Sequence, residues 1–152
     1  MATACEGRGL TAQPGFLPVL AELDELAGEH QTVDGAGVIG RGVAQIGTAF
    51  GRETSLITSQ RSPRDLEAAM RKADVACLHA RLPHQTESMI NGTSWGWLRP
   101  CVLLVNMARG ALVDLNALVA ALQEQRLAGA ALDVLVNEPP GGSWTACWPF
   151  PT

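Results

Sequence analysis

Cys101-Val102-Leu103-Leu104-Val105-Asn106 is apolar at every position until its final Asn. A strand with one wet face alternates apolar and polar residues. A short run without alternation fits a strand of a parallel sheet covered on both faces. That requirement calls for layers above and below, and the rest of the chain offers them. Glu29 to Asp34 reads as a first strand and Val38 to Phe50 as a helix stopped by Gly51. Thr54 to Ser59 reads as a short strand, and Pro63 opens a helix running to Lys72. Asp74 to Ala80 is another apolar strand, and Thr93 to Leu98 a helical turn. Asp114 caps a helix through Arg126, with Leu115, Leu118, Val119 and Leu122 on one side. Ala130 to Val134 is the last strand. Near the start, Leu17, Leu20, Leu23 and Ala27 share a face of an amphipathic helix over Phe16 to Ala27. Strands alternating with helices at this spacing predict an α/β, doubly wound parallel sheet.

A chain of 152 residues, 47% hydrophobic and 17% charged, suits a single globular domain. The formal charge of −4, with scattered Arg and Lys72 as the only Lys, disfavours a nucleic-acid partner. Cys5, Cys77, Cys101 and Cys147 lie far apart without metal-ligand spacing, so no metal is expected. Cys77 and Cys101 fall inside apolar runs, as buried free thiols do. No apolar run approaches the roughly 20 residues of a membrane helix, and no leader pattern is read at the N-terminus. The expectation is a cytoplasmic protein with no membrane contact. Residues 1–15 read as a frayed N-terminus, 16–140 as the domain, and 141–152 as an irregular tail.

Gly35-Ala36-Gly37-Val38-Ile39-Gly40 lies between the first strand and the first helix. In such a G-x-G-x-x-G turn the first Gly permits the turn, the second lets backbone approach a pyrophosphate, and the third lets helix pack on strand. The phosphates would sit at the positive N-terminal end of the helix. The strand leading in is polar, which is costly in a central position unless its side chains are paired. Asp34, directly before the turn, is placed to repel a pyrophosphate. About 20 residues on, where a ribose-binding carboxylate is expected, stand Ser59, Gln60 and Arg61. Gln60 can bond a ribose hydroxyl and Arg61 can pair with a 2′-phosphate. Equally, the stretch reads as a solvated loop.

Further on come Val105-Asn106-Met107-Ala108-Arg109-Gly110-Ala111-Leu112-Val113-Asp114, then Gly129-Ala130-Ala131-Leu132-Asp133-Val134, then Glu138-Pro139-Pro140. In this order, with the Gly turn, they resemble the nucleotide-binding domain of the D-isomer-specific 2-hydroxyacid dehydrogenases, from about Leu26 to Pro140. The resemblance implies a single Rossmann-type domain that binds NAD or NADP. Its cofactor residues are Gly35, Gly37, Val38, Ile39, Gly40, Gln60, Arg61, Ala108 and Asp133. Its catalytic residues are Arg109, which binds the carboxylate of a 2-keto or 2-hydroxy acid, and Glu138, which pairs with a catalytic His. A homodimer through this domain is also implied.

The chain departs from the family pattern in several places. Val38 stands where the family often has an Arg, although Arg41 matches. Arg81 replaces a Pro. The family His belongs to a Pro-His-x-Gly segment beyond the Glu, whereas the His here are His30, His79 and His84. His79 matches a Leu-His position near the cofactor, and His84 lies on the loop after it. About 25 residues precede the first strand, too few for the family's substrate lobe. Two readings stand. One is an oxidoreductase of the CH-OH group, impaired by loss of the His and the lobe. The other is a non-catalytic truncated remnant that folds, dimerises, and binds nucleotide weakly or not at all.

Overall fold

The computed structural model describes residues 26–82 and 86–136. The helix expected over Phe16 to Ala27 lies outside them save for its last two residues, as do residues 1–15, His84, Glu138 and the 141–152 tail. The described chain runs β1 (His30–Asp34), α1 (Val38–Ala49), β2 (Glu53–Ile57), α2 (Pro63–Met70), β3 (Val75–Leu78), β4 (Leu103–Asn106), α3 (Leu115–Gln123) and β5 (Gly129–Leu132). Single 3-10 turns at Ser94–Gly96 and Gly110–Leu112 flank β4. The strands form one parallel sheet in the order β2-β1-β3-β4-β5. Every strand expected from the sequence is present, shifted or shortened by a residue or two at its ends.

The local reasons are ordinary. Ser62 accepts a bond from the Asp65 amide, Asp65 accepts one from the Ser62 amide, and Pro63 sits just inside α2. Asp114 caps α3 by accepting from the Ala117 amide at 3.1 Å. Register carries Val33 beside Cys77, Cys77 beside Val105, and Val105 beside Ala131. Alternate residues therefore feed two apolar clusters. On one face Ala76, Leu78 and Leu104 pack with Leu66 and Met70 of α2, Trp95, and Leu118 and Ala121 of α3. On the other, Val33, Cys77 and Ala44 of α1 form a smaller cluster edged by Val43, Val75 and Val105.

Two expectations need correction. The apolar run of β4 is not enclosed on both faces by the described residues, since Leu103 is 47% exposed. Its companions Val105 and Ala131 share that face, where α1 packs on β1 and β2. Cys77 is the buried free thiol expected, but Cys101 is half-buried and disulfide-bonded. Cys101 lies in the turn before β4 begins, so the strand does not enclose it.

The polar β1 is central, and its side chains are paired. Thr32 Oγ1 donates to the Ala69 carbonyl at 2.9 Å, and the Gln31 amide donates to Cys77 Sγ at 3.8 Å. His30 Nε2 meets Ser55 Oγ at 2.8 Å, and the His30 amide donates to Asp74 Oδ2 at 2.8 Å. Over this strand α1 presents Gly40, Ala44 and Gly47, all buried. A Cβ on Gly40 would collide with the Gly35 carbonyl oxygen, and one on Gly47 with the Gln31 side chain. The backbone of α1 thus rests almost directly on β1. Gly40→Ala should lower unfolding free energy by about 2 kcal/mol, the usual cost of overpacking, read as a reduced urea midpoint with unchanged slope.

Candidate functional site

Neighbours β2 and β3 flank β1, so the chain reverses direction across the sheet at β1, and the crevice beyond its carboxyl end lies at that switch point. Gly35 turns the chain with φ +116°, a conformation L side chains rarely adopt. A Cβ there would also strike the backbone of His79 and Ala80. The Gly35 amide donates to the Ile57 carbonyl at 3.0 Å, and the His79 amide donates to the Asp34 carbonyl at 2.7 Å. The turn is therefore tied to β2 on one side and to the end of β3 on the other.

Gly37 differs from the other two glycines. It caps α1 with φ −72° and ψ −173°, which any residue adopts, and a Cβ on it would meet nothing within 4 Å. Nothing in the fold requires glycine here. No side chain caps α1, and its first turn carries no acidic residue. The free amides at this helix start are thus open to an anion. Val38 and Ile39 of that first turn are exposed, at 92% and 70%. Arg41 Nε donates back to the Ala36 carbonyl at 2.8 Å, bracing the turn from outside.

Asp34 does not face the phosphate position. It is wholly buried on the same face as Thr32, where Arg61 meets both carboxylate oxygens, Nη1 to Oδ1 at 2.9 Å and Nη2 to Oδ2 at 3.0 Å. Arg61 Nη2 also contacts Met89 Sδ at 3.4 Å. Burial pushes the Asp34 carboxyl up to about 6, against the pull of the guanidinium. Gln60 remains exposed beside the crevice. Burial holds the His79 imidazole below its ordinary value.

Two strands along the sheet from β1, about 10 Å at ordinary strand spacing, β4 ends at Asn106. This side chain is fully buried, and both its polar atoms shape the next turn. Its Nδ2 donates to the Arg109 carbonyl at 2.9 Å, and its Oδ1 accepts from the Ala108 amide at 3.1 Å. Arg109 is exposed, and its Nη1 folds back to the Ala108 carbonyl at 2.7 Å. Behind it, Gly110 lies against the Leu135–Val136 backbone so closely that no Cβ fits. Asp133 is exposed, and its amide donates to the Asn106 carbonyl at 3.0 Å. A shallow apolar depression, too small for more than a water molecule, lies between Asn106, Gly110, Leu132 and Val136, behind the Arg109 turn.

The structure thus gathers Gly35, Gly37, Val38, Ile39, Gly40, Gln60 and Arg61 at the tips of β1 and β2. It gathers Ala108, Arg109 and Asp133 at the tips of β4 and β5, on the same rim of the sheet. Glu138 lies outside the described residues. Sequence alone does not reveal what Asn106 does for the Arg109 turn, nor the commitment of Arg61 to Asp34. The buried-strand position of Asn106, directly before an Arg-Gly turn, is the one available signal for the first.

The family model for the D-isomer specific 2-hydroxyacid dehydrogenase NAD binding domain matches residues 17–148. A glyoxylate reductase of Aeropyrum pernix is 36% identical over 135 residues, covering 82% of this chain and 40% of that protein. A glycerate dehydrogenase of Methylorubrum extorquens is 33% identical, covering 76% of this chain and 38% of that protein. Among solved structures, the TT0316 protein of Thermus thermophilus superposes with a TM-score of 0.76 at 35% identity, over 86% of this chain and 44% of that one. The D-lactate dehydrogenase with NAD+ of Lactobacillus jensenii gives 0.72 at 30% identity, over 80% of this chain and 39% of that one. The chain spans about two fifths of the length of these curated relatives.

Because the Asp34 carboxyl is raised from 3.8 to about 6, the folded chain holds a proton that the unfolded chain has lost between those values. Stability is therefore greatest below pH 4 for this group and declines as pH rises through 6. Urea denaturation at pH 4 and pH 7 should show wild type losing about 2 kcal/mol more than Asp34→Asn across that interval.

Proposed function

The chain belongs to the D-isomer-specific 2-hydroxyacid dehydrogenases as their NAD-binding domain, and on that premise we propose that it binds a nicotinamide dinucleotide across the β1–β4 crevice and serves reduction or oxidation at C2 of a 2-hydroxy or 2-keto acid. The observation that carries the reading is Gly37, a glycine that neither backbone angle nor packing demands. The open space where its Cβ would stand suits a pyrophosphate lying against the start of α1. Gly35 and Gly40 hold the turn in shape, and Val38 and Ile39 supply amides at the helix start. Gln60 stands at the ribose side, with Arg61 next to it in the chain but turned onto Asp34, and Ala108 and Asp133 stand at the nicotinamide side. The dinucleotide, when bound, supplies or accepts the hydride.

The chain's own contribution to the chemistry is Arg109. A guanidinium forks onto a carboxylate with two parallel bonds, and Asn106 fixes the backbone from which it reaches. Glu138 is assigned to pair with a proton-transferring His. The domain spans 16–140 in this reading. A homodimer belongs to it as well, supported by an apolar stripe on the outer side of α1, where Ile46 and Phe50 are each 60% exposed and Ile39 is 70% exposed. No helix among the described residues is long and apolar enough to cross a membrane. Composition supports a cytoplasmic setting. The non-catalytic reading has one observation in its favour: the Arg109 guanidinium is bonded to its own backbone neighbour.

NADH titration followed by fluorescence should saturate below millimolar. Gly37→Ala should weaken NADH by about tenfold or more, while stability changes by less than about 1 kcal/mol, since only an exposed helix cap is altered. Equal NADH affinity in both proteins would remove Gly37 from the site. Turnover of NADH with glyoxylate, pyruvate or hydroxypyruvate, lowered about a hundredfold in Arg109→Ala, would establish the catalytic reading. Absent turnover with intact NADH binding would favour the other.

A further inference from the structure

We propose that Asp34 sets the choice between the two nicotinamide dinucleotides: it draws Arg61 into a buried ion pair, away from the ribose side of the crevice, so that the chain takes NAD(H) in preference to NADP(H). The inference rests on the dinucleotide reading above. Arg61 is the cation at the position, just after the second strand, from which an Arg ordinarily receives a 2′-phosphate. Here that cation is already engaged. Both carboxylate oxygens of Asp34 meet its two terminal nitrogens, at 2.9 and 3.0 Å, and Met89 Sδ closes on Nη2 at 3.4 Å.

Turning Arg61 outward would strand a carboxylate that has no exposed surface. Breaking such a pair shifts an equilibrium by about a hundredfold or more against the released state. A 2′-phosphate would have to meet that cost before gaining its own contact. Residues 58–60 add no positive charge, being Thr58, Ser59 and Gln60, all exposed, and the next cation is Arg64 in the first turn of α2. Neutral hydroxyl and amide groups suit a ribose hydroxyl and give a phosphate dianion no counter-charge. Asp34 thus acts through Arg61 as a positioning residue. The device is invisible to motif reading, because its two halves lie 27 residues apart.

The test is fluorescence titration of NADH and NADPH against wild type, Asp34→Asn, Asp34→Val and the double variant Asp34→Asn/Arg61→Gln, with folding checked by circular dichroism. Wild type should bind NADH about tenfold or more tighter than NADPH. Either Asp34 variant should gain about tenfold or more for NADPH, a charge-assisted contact being restored, with NADH changed by less than about threefold. The double variant should lose that gain. Wild type binding NADPH as well as NADH overturns the proposal, whether or not any variant folds. So does an unchanged NADPH to NADH ratio in a folded Asp34 variant, even though NADH binding itself leaves the dinucleotide reading standing. Failure of wild type to bind either dinucleotide overturns that reading and the proposal with it.

Discussion

A helix can begin at the tip of β1 and lie on that strand only if the space between the Gly35 carbonyl and the Gly40 α-carbon stays empty. This contact sets the distance between α1 and β1, and the remaining geometry follows from it. Gly47, two turns further on, lets the Gln31 amide lie under the helix. Gly35 brings the turn against the His79 backbone, so the ends of β1 and β3 are joined before any ligand enters. Three glycines in one motif thus divide between two kinds of work. Gly35 and Gly40 are needed by the fold, whereas nothing among the described residues requires Gly37.

The central strand shows how a sequence that argues against burial can still be buried. Four of its five residues are polar, and three of those four are shielded from solvent. Each of those three finds a partner from an element that lies beside it only in the folded chain: Cys77 on β3, Ala69 at the end of α2, Arg61 after β2. For Gln31 and Thr32 such partners convert a desolvation cost of a few kcal/mol per group into a small net term, whereas at Asp34 burial still outweighs the guanidinium. They also specify register, because a one-residue slip would turn Asp34 and Thr32 toward α1, where neither partner exists.

The elements were legible because each carries a local cause. Ser62-Pro63 with Asp65, Asp114 before its apolar helix, and the Gly turn between strand and helix all act within four or five residues. Parallel pairing followed from the alternation of strand and helix, and it placed the Gly turn and Arg109 on one rim. What was not legible depends on distant residues. Whether Leu103 is covered depends on which helices share its face, and its own run of apolar neighbours does not say. The true environment of Asp34 was hidden for the same reason. Its position before the turn implied a charge aimed at phosphate, but the two-residue period of the strand turns it to the opposite face, onto Arg61. Asn106 was visible as part of a motif, yet its role required seeing the chain curl so that both amide atoms meet the backbone of Ala108 and Arg109.

In the proposed reading, recognition and chemistry fall at different ends of one rim. At the β1 end the groups offered to a ligand are backbone amides at a helix start, already held by the bonds of Gly35 and Arg41 to the sheet and turn. They need no further ordering, and their charge is fixed by the peptide dipoles rather than by titration. At the β4 end the offered group is one long, exposed cation on a well-fixed backbone, bonded to the Ala108 carbonyl. Binding a dinucleotide therefore draws on structure this domain already possesses. Gripping a carboxylate requires Arg109 to leave that bond and be held in a new direction. An anionic substrate can supply part of that hold, through the two parallel bonds a carboxylate makes to a guanidinium. A surrounding wall that excludes water would supply the rest, by strengthening the same bonds in a less polar medium. The requirement falls on the β4 tip alone, which is why the two ends of the crevice can be tested, and can fail, independently.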